Sequence, residues 1–126
     1  MIRSLDSGHL SIISYNIRSI QANKEILFTF LDTLVSYPEV IVLTETWSKS
    51  DNKFEILGYN GYHVVREDNR RSGGVSVFVS NSYESQIIPD MYFLDINIEI
   101  CSVKIKFGSE FWYLLNIYRL MIFCSL

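Results

Sequence analysis

Proline is scarce in this chain, with two in 126 residues, and glycine is limited to six. That composition is not the Pro/Gly-rich one of a disordered or fibrous segment, and no repeat, linker or low-complexity tract interrupts the sequence. Cysteine is limited to Cys101 and Cys124. Neither lies in a CxxC or Cys/His cluster, so neither a disulfide framework nor a zinc site is indicated, and two reduced thiols of an intracellular protein are the simple reading. An excess of basic residues is also missing: 11 Lys+Arg against 14 Asp+Glu give a net charge of −3. A domain that held DNA mainly by charge would carry a basic face. An enzyme that holds a divalent cation is not excluded, because the ion itself brings positive charge to a phosphate. Long apolar runs are absent too. Residues 1–9 contain Arg3 but no apolar stretch of signal-peptide type follows. The apolar tail 114–126 is interrupted by Asn116 and Arg119 and falls short of the ~20 residues of a membrane span, so no membrane partner is expected.

What is present is apolar and aromatic. Apolar residues make up 48% and aromatics 14%, with eight Tyr and eight Phe. A chain of this length makes one small domain and can bury roughly two-thirds of its unfolded surface.

Residues 10–16 are rich in β-branched side chains and end on Asn16, which predicts a strand. Asn23 reads as a helix N-cap, followed by the stripe Ile26, Leu27, Phe30, Leu31, Leu34 and Val35, with Pro38 setting a stop near Ser36. Residues 40–44 (Val-Ile-Val-Leu-Thr) read as a second, buried strand that turns polar at Glu45. Residues 47–60 read as a loop pinned by Phe54, Ile56, Leu57 and Tyr59. Strands are then predicted at 62–65 and from Gly73-Gly74 through Val79, joined as a hairpin by the charged turn 67–72. Further strands are predicted at 83–88, 95–107 and 110–118. In 95–107 the apolar phase changes from even to odd positions, which a bulge at Cys101-Ser102 would absorb. The content is α/β, with one clear helix and strands that could form one mixed sheet.

Three side chains are candidates for chemistry. Glu45 leaves a rigid strand where a hard carboxylate oxygen could hold Mg²⁺; a solvated Glu closing a strand is the plainer alternative. Asn16 reaches the same rim if the two strands run parallel, and could orient a phosphate or simply make a turn. Tyr118, near the end of the last strand, could donate to a phosphoryl oxygen or be one more core aromatic. Arg66, Arg70 and Arg71 lie among Glu67 and Asp68 and read as a solvated turn. Gly73-Gly74 precedes no helix, so it reads as hairpin geometry and not as a phosphate cradle. His9 and His63 have no triad partner in sequence, and His63 reads as structural.

In order along the chain, Ile13-Ser14-Tyr15-Asn16-Ile17-Arg18-Ser19, Ile41-Val42-Leu43-Thr44-Glu45-Thr46-Trp47, Gly58-Tyr59 with Gly61-Tyr62, Arg71-Ser72-Gly73-Gly74-Val75-Ser76-Val77-Phe78-Val79, Ile98-Glu99-Ile100 and Leu115-Asn116-Ile117-Tyr118-Arg119 together resemble the endonuclease/exonuclease/phosphatase superfamily. More narrowly, they resemble the apurinic-type endonuclease domain of non-LTR (LINE-like, Jockey-like) retrotransposons. The resemblance spans residues 10–119, with 1–9 as an N-terminal extension and 120–126 as a divergent tail. It implies an incomplete four-layer α/β sandwich, mainly one mixed sheet with one long helix. It implies that Glu45 binds a divalent metal (Mg²⁺ or Mn²⁺), that Asn16 arranges the active-site phosphate, and that Tyr118 contacts it. It implies hydrolysis of DNA phosphodiesters, with DNA and a reverse transcriptase domain of the same polyprotein as partners, in the nucleus for a full-length element.

The family's Gly-Asp-x-Asn and Ser-Asp-His elements do not follow Arg119 in these 126 residues. The group that activates water is therefore absent from them. The expectation is a chain without nuclease activity, with apolar surface exposed where a partner sheet is lacking. Another phosphodiesterase or phosphatase of the superfamily, or a non-catalytic binding domain, are the alternatives.

Overall fold

The structure is a computed structural model and describes residues 9–50, 53–66, 72–89, 93–94 and 97–119. The expected extension and tail, and the turn residues Glu67, Asp68, Arg70 and Arg71, lie outside the described residues, apart from His9.

The first strand, β1 (Ile12–Asn16), leads into helix α1 (Ile20–Asp32) and then β2 (Val40–Thr44). β1 and β2 pair in parallel from Ile12 opposite Val40 to Asn16 opposite Thr44. Strands β3 (Tyr59–Val64) and β4 (Val75–Ser80) form the expected antiparallel pair, and β4 docks antiparallel on β2, for a sheet order β1-β2-β4-β3. β5 (Ser85–Ile87), β6 (Phe93–Leu94), β7 (Ile98–Phe107) and β8 (Glu110–Arg119) make a second sheet, with β5 and β6 on one edge of β7 and β8 on the other.

The α/β class and the mixed sheet with one long helix are therefore as expected, but the strands are divided between two sheets and not gathered mainly into one. The physical reason is a shared core. Val40, Val42, Val64, Val75, Val77 and Val79 of the first sheet pack on Cys101, Val103 and Ile105 of the second. Each such buried aliphatic side chain contributes about 1.5–3 kcal/mol relative to exposure. The inner faces thus cover each other. On the far side of the first sheet, Ile41, Leu43 and Phe78 meet Ile17, Ile20, Leu27, Leu31 and Ile56. β2 is buried on both faces, and this is why its sequence runs apolar without alternation.

Three local expectations are corrected. The helix starts at Ile20 because the Ser19 hydroxyl caps it, accepting from the Ala22 amide at 3.2 Å. Asn23 instead donates backwards to the carbonyls of Ile17 (2.9 Å) and Arg18 (2.8 Å) and pins the loop before the helix. The helix ends at Asp32, where the Thr33 hydroxyl returns to the Phe30 carbonyl at 2.6 Å. The apolar stripe is consequently split, with Leu27 and Leu31 buried and Ile26 and Phe30 exposed. Finally, β7 pairs with β8 over ten residues without a slip, so no bulge exists against that partner. The odd positions Glu99, Cys101, Val103 and Ile105 are all buried. The core phase of β7 is thus odd throughout, and it includes a glutamate.

Candidate active site

β1 and β2 run in parallel, so both deliver their C-terminal ends to one rim. The chain leaves this rim through three loops that are laced together. Ser19 donates to the carbonyl of Glu45 (2.9 Å) and Ile20 to that of Thr46 (3.0 Å), while Thr46 donates to Gly74 (3.1 Å) and Trp47 to Gly73 (3.0 Å). The cost is backbone strain. Arg18, Ser19, Glu45 and Trp47 are the only non-glycine residues at positive φ among the described residues, and all four lie here. A left-handed φ at such a residue costs roughly 1–2 kcal/mol, and strain of this kind concentrates at functional sites.

Glycine is required at the third loop. Gly74 has φ +87°, and a Cβ there would lie 2.4 Å from Thr46 Oγ1. Gly73 has φ +76°, and a Cβ would lie 2.8 Å from Arg66 Nε. The hairpin role expected for these glycines is real, but their amides do more.

Glu45 is half-buried at the rim and both of its carboxylate oxygens are engaged. Oε2 accepts from Trp47 Nε1 at 2.6 Å and from the Gly73 amide at 3.0 Å. Oε1 accepts from the Tyr118 hydroxyl. Burial pushes the carboxyl pKa up, but the hydrogen bonds from Tyr118, Trp47 and Gly73, together with the charge of Arg18, hold it below its ordinary value. Glu45 is therefore an anion at neutral pH. Burial, followed by the Glu45 contact, pushes the Tyr118 phenol up to about 12, so it remains a donor.

The fold thus joins Glu45 and Tyr118 from opposite sheets. Asn116 helps to seat β8 across the gap, its amide donating to the carbonyls of Leu43 (3.2 Å) and Ser76 (3.3 Å). Asn16 stands at the same rim, opposite Thr44, but it is exposed and takes no part in the hydrogen bonds of Glu45. His63 is away from this network. Its Nδ1 shares a hydrogen with Ser76 Oγ at 2.7 Å, its ring meets Phe78, and burial pushes its pKa down to about 4.

Two residues of this region escape a reading of the sequence. Arg66, expected in a solvated turn, is buried, and its Nε lies 3.2 Å from Glu99 Oε2. Glu99 is fully buried and accepts from the Gly74 amide at 2.7 Å. Burial raises the Glu99 carboxyl pKa, only partly offset by Gly74 and Arg66. Lys49 Nζ closes the same region by donating to the Arg66 carbonyl at 2.8 Å. The available signal for Glu99 was a charged residue in the odd, core-facing phase of β7.

Among the described residues, no group of three His, Cys, Asp or Glu side chains is placed to hold a metal ion. Glu45 can nevertheless contribute one oxygen. A carboxylate has about four lone-pair positions, and three are used here, which leaves one on Oε1. Mg²⁺ commonly takes only one or two carboxylates and completes its shell with water and phosphate oxygens. The residue present fits that pattern.

No family model matches the sequence, and no curated protein matches it. Among solved structures, the chain is similar to the catalytic domain of Xenopus laevis APE2, with 18% identity and a TM-score of 0.54, over 87% of this chain and 44% of that one. At this identity the likeness shows the fold alone, an α/β arrangement of the endonuclease/exonuclease/phosphatase type. The chain spans less than half the length of that neighbour.

Proposed function

We propose that these residues are the amino-terminal part of a retrotransposon-type endonuclease domain which, when complete, hydrolyses DNA phosphodiesters with a divalent cation. The observation that carries this reading is the Glu45–Tyr118 contact: an ionised carboxylate with one free lone pair, and a phenol held protonated, meeting at a strained rim. When bound, Mg²⁺ or Mn²⁺ would neutralise charge on the phosphate. Glu45 would hold that cation with one oxygen. Tyr118 keeps its proton, donates it to Glu45 Oε1, and would turn it to a phosphoryl oxygen when substrate is bound. Asn16, exposed at the same rim, is free to meet the phosphate from the β1 side. A reverse transcriptase domain in the same polyprotein and a nuclear site of action belong to this reading.

The described rim contains no second carboxylate or imidazole free to take a proton from water, since Glu99 is buried against Arg66 and Gly74. The 126 residues alone are therefore expected not to nick supercoiled plasmid in Mg²⁺. They are expected to bind Mn²⁺ weakly, measured by paramagnetic broadening of the Trp47 indole resonance, with loss in Glu45→Gln and several-fold weakening in Tyr118→Phe. Metal-dependent nicking by this chain would refute the inactivity, and unaltered Mn²⁺ binding in Glu45→Gln would refute the site.

A specific observation supports a second reading, a non-catalytic interface. The outward side chains of β8, Phe111, Tyr113, Leu115 and Ile117, are all exposed, three of them by half or more. Stable capture of a defined protein partner, lost on mutating these four and unaffected by Glu45→Gln, would favour it.

A further inference from the structure

We infer that Glu99, paired with Arg66, is the positioning residue of the Glu45 rim, acting from the second sheet through the two glycines. The contacts form a continuous chain. Glu99 Oε2 takes the Gly74 amide at 2.7 Å. The neighbouring Gly73 amide goes to Glu45 Oε2 at 3.0 Å. The carbonyls of the same glycines hold the Glu45 loop from the other side, accepting from Trp47 (3.0 Å) and Thr46 (3.1 Å). Glu99 is also the cross-strand partner of Tyr118, whose hydroxyl is the other support of Glu45. One buried carboxylate therefore anchors the glycine loop and stands beside the phenol, between them the source of two of the three donors to Glu45.

The competing reading is a structural ion pair with no bearing on the rim. Stability alone gives little reason to place one here. A buried pair is often replaceable by apolar side chains without loss, because desolvation offsets most of the attraction. The local geometry is also more specific than a core pair requires. Arg66 Nε and Cδ come within 2.8 and 2.9 Å of where a Gly73 Cβ would stand, and Glu99 Oε2 within 3.0 Å. The pair packs against the bare backbone of the residue that holds Glu45. Glu99 Oε1 has no hydrogen-bond partner among the described residues, so the carboxylate is spent on the loop and not on saturating itself.

The test uses the full 126-residue chain with Trp112→Phe, which leaves Trp47 as the sole indole of the two in the sequence. Tb³⁺ alone is the probe, because an indole 2.6 Å from Glu45 Oε2 will sensitise its luminescence. The metal arm rests on the Glu45 reading above. The second arm, the NMR shifts of the Trp47 indole and Gly73 amide protons without metal, does not. Glu99→Leu is expected to weaken Tb³⁺ binding about tenfold or more, the usual effect of losing an outer support of a metal ligand, and to move both resonances. Glu99→Gln keeps an oxygen for the Gly74 amide and is expected to stay within about threefold of wild type, as a rescue. The double variant Arg66→Met/Glu99→Leu avoids an unpaired buried charge, and is expected to fold while still binding weakly with shifted resonances. Wild-type binding and unmoved resonances in the folded double variant would overturn the proposal. So would a Glu99→Gln as defective as Glu99→Leu, because charge and not position would then be the cause. If wild-type protein fails to sensitise Tb³⁺, the cation reading of Glu45 falls, and the two proton shifts alone decide the positioning role.

Discussion

The two faces of β8 invert the usual distribution of polarity in opposite ways. Inward, the strand ends at the rim, where Asn116 is buried and Tyr118 half-buried, within reach of two glutamates and an arginine. Outward, it exposes Phe111, Tyr113, Leu115 and Ile117, with Lys104 lying 4.1 Å from the Phe111 ring and 5.9 Å from that of Tyr113. Charge sits inside and apolar surface outside. The inward anomaly is compensated at its main groups: both oxygens of Glu45 are engaged, Glu99 Oε2 meets Gly74 and Arg66, and the Asn116 amide is held by two carbonyls. The outward one is not. Polar burial with specific partners marks a site, whereas apolar exposure without partners marks an unsatisfied surface.

The contrast breaks most readily at the buried pair. Removing one partner by Glu99→Ala is expected to cost about 3–5 kcal/mol of unfolding free energy, because Arg66 is left as a buried, uncompensated charge. Urea denaturation measures it, and a loss below ~1 kcal/mol would make the inward face an ordinary surface. Next in size is Gly74→Ala, expected to cost roughly 1–3 kcal/mol from overpacking in addition to φ strain. Gly108→Ala is the control, since Gly108 also has positive φ but open space around it. The difference between the two variants isolates the contact with Thr46.

The two rim carboxylates should titrate on opposite sides of the ordinary range, read by carboxyl carbon NMR. For Glu45, lowered in the folded state, the unfolded chain binds more protons, so its contribution is present above the unfolded pKa and is lost as pH falls through the folded one. For Glu99, raised in the folded state, the folded chain binds more protons, so stability declines as pH rises from the unfolded pKa to the folded one. His63 acts in the same sense as Glu45. It is lowered to about 4, so acid favours unfolding between its ordinary value and that pH, by up to about tenfold per pH unit. The smallest effect on stability belongs to the outer face. Phe111→Ser/Ile117→Ser is expected to stay within roughly 0.5 kcal/mol while reducing self-association in sedimentation velocity. A large loss of stability would mean that this face is already covered.

Much of the architecture was legible along the chain. Val40-Ile41-Val42-Leu43 announces a strand covered on both sides, and the structure covers both. The β3–β4 hairpin was likewise readable from alternation and the flanking glycines. Of the candidate site, Glu45 and Asn16 were readable as strand-end candidates, but the joining of Glu45 to Tyr118 was not. Glu45 and Tyr118 are 73 residues apart, and no spacing rule connects them. Arg66 looked solvated because its sequence neighbours are charged, and Glu99 was hidden by a phase change that looked like a bulge.

Period, branching and capping are properties of neighbouring residues, so strand–helix–strand and the strand ends at Asn16 and Glu45 follow from the chain alone. Whether a carboxylate is solvated, buried against an arginine, or aimed at a rim depends on which groups surround it, and here those groups come from both sheets. The separate roles of Glu45 and Glu99, and the placing of a glycine pair between them, arise only when the sheets close on one another. Desolvation and hydrogen-bond geometry are set by that packing and not by order along the sequence.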